Sequence, residues 1–577
     1  MIRHLGENRW LVLDTLAIAT GLAGGFGAVL FRRLVEAVHQ IFFGPVLDAL
    51  PGGGESLILL PVLGGLAVGL TILKFAPEGR GEGIPNLMKS LHKKGGRIRV
   101  RSGPTLLLAS AVTIGSGGSA GRDSPIAQLG ASFGSLLGQR LRLTVADVQI
   151  LAICGFVAGL AGTFNAPLGS AIFGMEVVMR RFRMVDAVPI LLAAVIGAAT
   201  ASSFLGTNPA FTPPETDLVL AELWLCFVLG LAFGAVSLLW VGLASGAERL
   251  FERLPLRESL KPALGGFVAG AAGLYFLGYG VMGVGYDGVD RVLSLVSGSS
   301  SADLQILLFL FALATAKALA TASTLGSGGS GGSIGPTLYM GAVIGAALGL
   351  IFGDLFPSAQ GHAPTYALLG AGALFAGSAG APLTCVVMIS EMAADYALLP
   401  SLMISCAASY AVAQIGLKGS TMYTLKLLRR GISLEAGEAV LERVLVEDAM
   451  VCDVAAVDPE MTVRVVRDRI VEQNIRGFPV VKDGELLGIV TFDDLRKVPE
   501  EMQDEIRVED VAVKEVIVAY PDENMKQVMD RLYQNNIGRL PVVERESPKK
   551  LLGIVTRTDA ISAYEVAAAE EVRESRR

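Results

Sequence analysis

Three short runs of glycine that end in proline carry the chemistry of this chain. They are Gly81-Glu82-Gly83-Ile84-Pro85, Gly121-Arg122-Asp123-Ser124-Pro125 and Gly332-Ser333-Ile334-Gly335-Pro336. Proline suits the first turn of a helix, where its missing N–H would have had no partner. Each run therefore predicts a helix start whose free N–H groups point back into the glycines. Such a start is a ready anion site, with backbone donors and roughly half a positive charge from the aligned peptide dipoles. Asp123 stands where the anion would sit. A plain cap for the helix it opens is the structural alternative. Three such starts aimed at one point would hold a dehydrated anion without a full positive charge, so the ion could bind and still depart.

The elements that must position these runs are apolar. Four glycines fall in 115–125, each costing about 1 kcal/mol against alanine in a helix, yet the flanks 105–113 and 126–137 read as buried helices. Non-helical backbone at membrane depth survives only where protein encloses it or it lines a wet cavity. The 577 residues are 52% hydrophobic and 18% charged, and the mean hydropathy is +0.55. That excludes an ordinary soluble protein and predicts a polytopic membrane protein in a lipid bilayer.

Apolar segments recur at 11–41, 57–75, 105–114, 126–137, 150–160, 168–179, 187–205 and 218–244. They continue at 263–277, 304–319, 337–352, 366–375, 383–392 and 398–415. Several are too short for a crossing, which needs about twenty residues. Short, glycine-interrupted segments predict broken helices around a site near the midplane. The net charge of −6 hides an asymmetry: residues 433–577 hold 31 acidic and 20 basic residues, leaving the body before them at +5. Nucleic acid is excluded as a partner for so acidic a tail. Lys426, Arg429 and Arg430 precede the tail and place it in the cytoplasm by the positive-inside bias. The five cysteines are scattered, so neither a disulfide framework nor a metal site is expected. No nucleophile, base or metal constellation suggests an enzyme.

The body repeats itself. Residues 115–125 recur as 326–336; Ala158-Gly-Leu-Ala-Gly162 with Ala166-Pro167-Leu168 recurs as Ala376-Gly-Ser-Ala-Gly380 with Ala381-Pro382-Leu383. In both copies a glutamate, Glu176 or Glu391, lies nine residues past the proline. The expected halves are 11–205 and 218–430, and sequence leaves open whether they are inverted.

In that order, Gly81-x-Gly-Ile-Pro85, Gly121-Arg-Asp-Ser-Pro125 and Gly332-Ser-Ile-Gly-Pro336 resemble the anion-site signatures of the CLC chloride channels and transporters. Tyr423 looks like the tyrosine that closes the inner side of their site. The resemblance implies an all-α membrane domain over 1–432, built of two inverted repeats of broken helices. It further implies a homodimer with one pore per subunit, inorganic anions as cargo with chloride foremost, and no required cofactor. Asp123 is then the gate, where the family pattern has glutamate; it is shorter by one methylene and reaches about 1.5 Å less far. Glu82 replaces the usual inner serine; ionised it would repel chloride, so it is expected to point away or be protonated. Val177 takes the inner position where proton-coupled members carry glutamate, which favours passive conduction. Glu82 or Glu176 could substitute as a proton path, which keeps proton-coupled chloride exchange as the alternative. A cation transporter is the remote alternative, and it would need acidic rings in the spans. A prokaryotic inner or plasma membrane is the expected setting.

After a linker at 433–443 the pattern turns to short strands and amphipathic helices. Asn474-Ile-Arg-Gly-Phe-Pro-Val-Val481 recurs as Asn536-Ile-Gly-Arg-Leu-Pro-Val-Val543, and Gly488-Ile-Val-Thr-Phe-Asp-Asp494 as Gly553-Ile-Val-Thr-Arg-Thr-Asp559. This resembles an α/β pair of CBS domains, 444–503 and 504–566, with a charged tail at 567–577. Thr491 or Thr556 could donate to a phosphate, and Asp494 or Asp559 accept from ribose hydroxyls, so an adenine nucleotide is a candidate regulator. An empty pair that only dimerises is the alternative.

Overall fold

Glycine and proline decide where the apolar runs break. In the computed structural model residues 9–51, 53–75, 83–207, 211, 222–298, 302–430, 432, 441–442, 444–473, 475–535 and 537–574 are described. Gly81, Glu82, Asn474, Asn536 and most of the 433–443 linker lie outside them. The first half of the body holds α1 (Arg9–Ile41), α2 (Leu59–Phe75), α3 (Gly83–Lys94) and α4 (Ser102–Gly115). It continues with α5 (Asp123–Arg140), α6 (Val145–Phe164), α7 (Pro167–Phe173) and α8 (Met184–Leu205). The second half holds α9 (Leu223–Arg253), α10 (Lys261–Tyr275), α11 (Tyr286–Ser297), α12 (Leu304–Gly326) and α13 (Ile334–Leu355). It closes with α14 (Ala363–Ala379), α15 (Pro382–Ala393), α16 (Leu399–Leu417) and α17 (Met422–Arg429).

Among the described residues eight helices are long and apolar enough to span a membrane, while Ser102–Gly115, Pro167–Met179 and Pro382–Ala393 are apolar but shorter. The broken helices expected from the sequence are thus present. Gly117 and Gly328, at φ +100° and +99°, turn the chain out of α4 and α12 in the same way. That left-handed backbone is open to glycine at no steric cost.

The two halves meet through contacts that repeat with their members exchanged. The Gly121 and Gly332 amides each donate to the other residue's carbonyl, at 2.7 and 2.9 Å. The Ser119 amide donates to Thr324 Oγ1 and the Ser330 amide to Thr113 Oγ1, both at 3.2 Å. The hydroxyl pairs Ser110–Ser330 and Ser119–Thr321 follow the same exchange, at 2.8 and 2.9 Å. A two-fold relation between inverted halves requires this reciprocity.

Close helix crossings are likewise duplicated. A Cβ at Gly130 would lie 2.0 Å from Gly155 O, where α5 crosses α6. One at Gly341 would lie 2.4 Å from Gly370 O, where α13 crosses α14. Small residues let the backbones touch, which supplies the packing that lipid cannot.

The chain divides into two compact units, Met1–Leu427 and Leu428–Arg577. In the second, β1 (Gly477–Lys482) pairs antiparallel with β2 (Glu485–Thr491), and β3 (Arg539–Val543) with β4 (Leu551–Thr556). Parallel bridges Val457–Val480 and Ala519–Val542 widen both hairpins in the same way. Phe478, Val480 and Val490 face Val463, Val466 and Ile470 in one core; Leu540, Val542 and Val555 face Val528 and Leu532 in the other.

Candidate functional site

The second and third glycine-proline runs converge. Asp123 opens α5 and is fully buried, as are Ser124, Ser333 and Ile334. Its carboxylate lies between the two runs: a Cβ at Gly332 would fall 2.0 Å from Oδ2, and one at Gly121 2.1 Å from Oδ1. Glycine alone leaves that space. The amides of Asp123 itself and of Gly335 and Ile334 at the start of α13 bear on the carboxylate. The Ser124 hydroxyl donates to Oδ2 at 3.4 Å. Oδ1 is nevertheless buried without a well-formed hydrogen bond. The acid thus occupies an anion cradle but is imperfectly satisfied there, which is what a displaceable occupant requires.

The first run reaches the same place by its far end. A Cβ on Gly83, the first residue of α3, would meet Ser124 O at 3.2 Å. Ile84 and Pro85 follow it, buried, in the first turn of α3. Pro125 and Pro336 hold the matching positions in α5 and α13. Gly81 and Glu82 are outside the described residues. Tyr423 is buried at the start of α17, its ring edge-on to Phe173 at 6.3 Å. Phe173 in turn stacks between Phe156 and Phe375.

Glu176 is tied to the opposite half. Its carboxylate accepts from the Leu383 and Thr384 amides at 3.1 and 2.9 Å and from the Thr384 hydroxyl at 2.6 Å. Glu391 accepts from the Leu168 and Gly169 amides at 3.0 and 2.8 Å. Each glutamate satisfies the orphan N–H groups at the start of the other half's short helix. The equal spacing from proline to glutamate in the two copies was the sequence signal for this exchange. Val177 beside Glu176 lines a cavity of about 290 Å³ with Arg180, Tyr410, Gln414, Thr421 and Thr424.

Sequence reasoning missed Tyr286. Its hydroxyl and Val284 Cγ1 lie 3.3 and 3.4 Å from where a Cβ on Gly335 would be. Arg122 lies over the Tyr286 ring, 5.4 Å from its centroid. The signal in the sequence is the glycine-rich run 278–288, which carries no proline to mark a helix start.

In the C-terminal unit Thr491 and Thr556 are already engaged. Their hydroxyls donate to Asp494 Oδ2 and Asp559 Oδ2 at 2.6 and 2.8 Å. Between the repeats lies a cavity of about 530 Å³, lined by Thr491, Asp493, Asp494, Arg476, Arg539 and Arg557, among others. Partial burial presses the Asp494 carboxyl upward, but hydrogen bonds from Thr491 and Lys497 prevail and hold it below the usual range. Burial, and then the nearby Arg476, lower the Arg539 guanidinium.

Amides of broken helices around a displaceable acid, in an inverted-repeat membrane body, define an anion-transporting membrane protein. The chain belongs to the CLC family: the profile for voltage gated chloride channels matches residues 64–414. The CBS domain profile matches 446–501 and 508–566. The chain is 33% identical over 414 residues to a putative chloride channel protein, ClcB-like, of Ralstonia nicotianae, spanning 69% of this chain and 93% of that one. It is 30% identical over 445 residues to the H(+)/Cl(-) exchange transporter ClcA of Yersinia pseudotuberculosis, spanning 75% and 90%. Its fold matches the crystal structure of a slow cyanobacterial Cl-/H+ antiporter with a TM-score of 0.64 at 26% identity, over 72% of this chain and 97% of that one. The protein is therefore a multi-pass membrane transporter of anions with cytoplasmic CBS domains.

Proposed function

We propose that this chain exchanges chloride for protons, with Asp123 as the group that takes turns with the anion. The observation that carries this reading is the carboxylate seated against Gly121 and Gly332 under the Ile334 and Gly335 amides. Anion and carboxylate compete for the same donors, so an ion enters only when the acid departs. An ionised carboxylate leaving its donors at membrane depth is costly, whereas a protonated one leaves with far less penalty. Anion entry is thereby linked to proton uptake. The Yersinia and cyanobacterial proteins, both described as exchangers, support this over the passive conduction that Val177 favours on sequence alone.

On the inner side Glu176 spends its oxygens on Leu383 and Thr384. Glu176 lines the same cavity as Val177, and we assign inner proton delivery to that cavity, with the capped Glu176 carboxylate on its wall. Passive conduction remains the second reading because Val177 carries no proton. A flux assay in liposomes separates them: with a chloride gradient and no initial pH gradient, exchange moves protons opposite to chloride and builds a pH gradient. Chloride movement without proton movement would establish the channel instead.

Two further readings belong to the same molecule. A homodimer is favoured by the half-exposed amide–carboxylate contacts at Glu176 and Glu391, which at membrane depth need a protein cover. An adenine nucleotide suits the cavity between the CBS repeats: Arg476, Arg539 and Arg557 can answer its phosphates, and Asp493 and Asp494 its ribose.

A further inference from the structure

Lys317 lies on α12 with no exposed surface. Its Nζ donates to Gly280 O, Val281 O and Gly283 O at 2.9, 3.2 and 3.0 Å. Three acceptors match the three donors of an ammonium. Among the described residues no carboxylate lies within ion-pair distance of it. The Tyr339 ring lies 5.2 Å from Nζ and faces the charge. A buried cation without an acid is expensive unless its protons are all bonded, and here backbone carbonyls do the bonding.

Those carbonyls belong to one loop, 276–285, between α10 and α11. Glycines at 278, 280, 283 and 285 have positive φ and turn the loop back on itself. The Tyr339 hydroxyl holds the Tyr279 carbonyl of the same loop. Two residues from α12 and α13 thus gather four consecutive or near-consecutive carbonyls. Directly after this cage come Val284 and Tyr286, the side chains that cover Gly335, whose amide faces Asp123. Arg122 then rests on Tyr286.

The loop belongs to the outer side. Lys426, just before the cytoplasmic tail, pairs with Glu248 near the end of α9 at 3.3 Å. Lys261, at the start of α10, donates to the Glu252 carbonyl at 3.5 Å and to Glu258 at 2.6 Å, so α10 departs from that inner face. Its far end opens into the loop.

We propose that Lys317, together with Tyr339, is the positioning residue for the outer wall of the anion site: by gathering the 279–283 carbonyls it seats Val284 and Tyr286 over Gly335 and Asp123. The inference rests on the anion cradle described above. Its function is geometric, because the ammonium is saturated by carbonyls and its charge is spent within the loop. Removing either anchor leaves buried carbonyls unpaired, and the loop relaxes to find other donors.

The test is chloride binding by isothermal titration of the purified, detergent-solubilised full chain. Lys317→Met and Tyr339→Phe are expected to weaken chloride by roughly threefold to thirtyfold, the range for residues acting on a site through others. Lys317→Arg, which keeps a cationic donor, should lose less than Lys317→Met. If Lys317→Met does not fold, Tyr339→Phe and Lys317→Arg decide. Wild-type affinity in the folded variants, even with a lowered melting temperature, overturns the proposal and leaves a purely structural lysine. Loss in Lys317→Met without loss in Tyr339→Phe also overturns it, since the charge and not the loop would then be acting. Asp123→Ala is the control for the cradle: unchanged chloride binding there would sink the site itself, whatever Lys317 does.

Discussion

On the proposed reading, one side chain, Asp123, sets what the transporter can do. It is shorter than glutamate by a methylene, yet its oxygens already fill the gap between Gly121 and Gly332. Restoring the methylene in Asp123→Glu would add about 1.5 Å and force the acid past this gap. We expect slower turnover and a shifted pH optimum in Asp123→Glu. Asp123→Ala should give chloride flux that no longer varies with pH and no longer moves protons. Flux in liposomes across pH 4 to 8 checks both, and a preserved pH response in Asp123→Ala would remove the acid from the gate. A second residue-scale expectation concerns Asp494, which caps its helix through Thr491. Its depressed titration means the stabilisation is present above the unfolded value, about pH 4, and is lost as pH falls through the folded one. Asp494→Asn should therefore lower the melting temperature of the tail at neutral pH by the equivalent of about 1 kcal/mol, and by less at acid pH. An equal loss at both would refute the assignment.

At the level of elements, α7 and α15 depend on one another through Glu176 and Glu391. Each short helix begins with bare N–H groups that the other half's carboxylate accepts. Glu176→Gln and Glu391→Gln should each destabilise the body by about 1 to 2 kcal/mol, read as matched drops in melting temperature in detergent. A drop in only one would break the equivalence of the two caps. The proline-to-glutamate spacing made these residues visible in the sequence, but not their task, because a cap supplied across two halves has no local signature. The glycine-proline runs behaved differently. Pro125 and Pro336 sit in the first turns expected of them, since proline's restraint on the backbone is local and travels with the residue. The meeting of Gly121 with Gly332 was legible only as a repeat, for pairing at that distance is decided by the whole body. Tyr286 and Lys317 were hidden altogether: an isolated tyrosine and lysine acquire meaning only from the carbonyls and glycines folded around them.

For the whole molecule, the apolar face made by α7, α8, α15 and α16 bears on assembly. Leu168 and Leu383, at equivalent places in the two halves, are 43% and 57% exposed, and Val188 and Met403 are 58% and 59% exposed. Lipid could cover side chains, but the Glu176 and Glu391 carboxylates among them are costly against lipid. A second copy can cover both. Val188→Arg combined with Met403→Arg should convert a dimer into a monomer in light scattering of the detergent-solubilised protein. A monomeric wild type would dispose of the idea.

Position 123 also has a counterpart. The exchange that pairs Gly121 with Gly332 maps Asp123 onto Ile334, so only one of these two matched runs carries an acid. Had both copies kept one, the passage would look alike from either end. With an aliphatic side chain at the matching place, the cradle distinguishes its two faces, and acidity on the Asp123 side should weigh differently on traffic from acidity on the other.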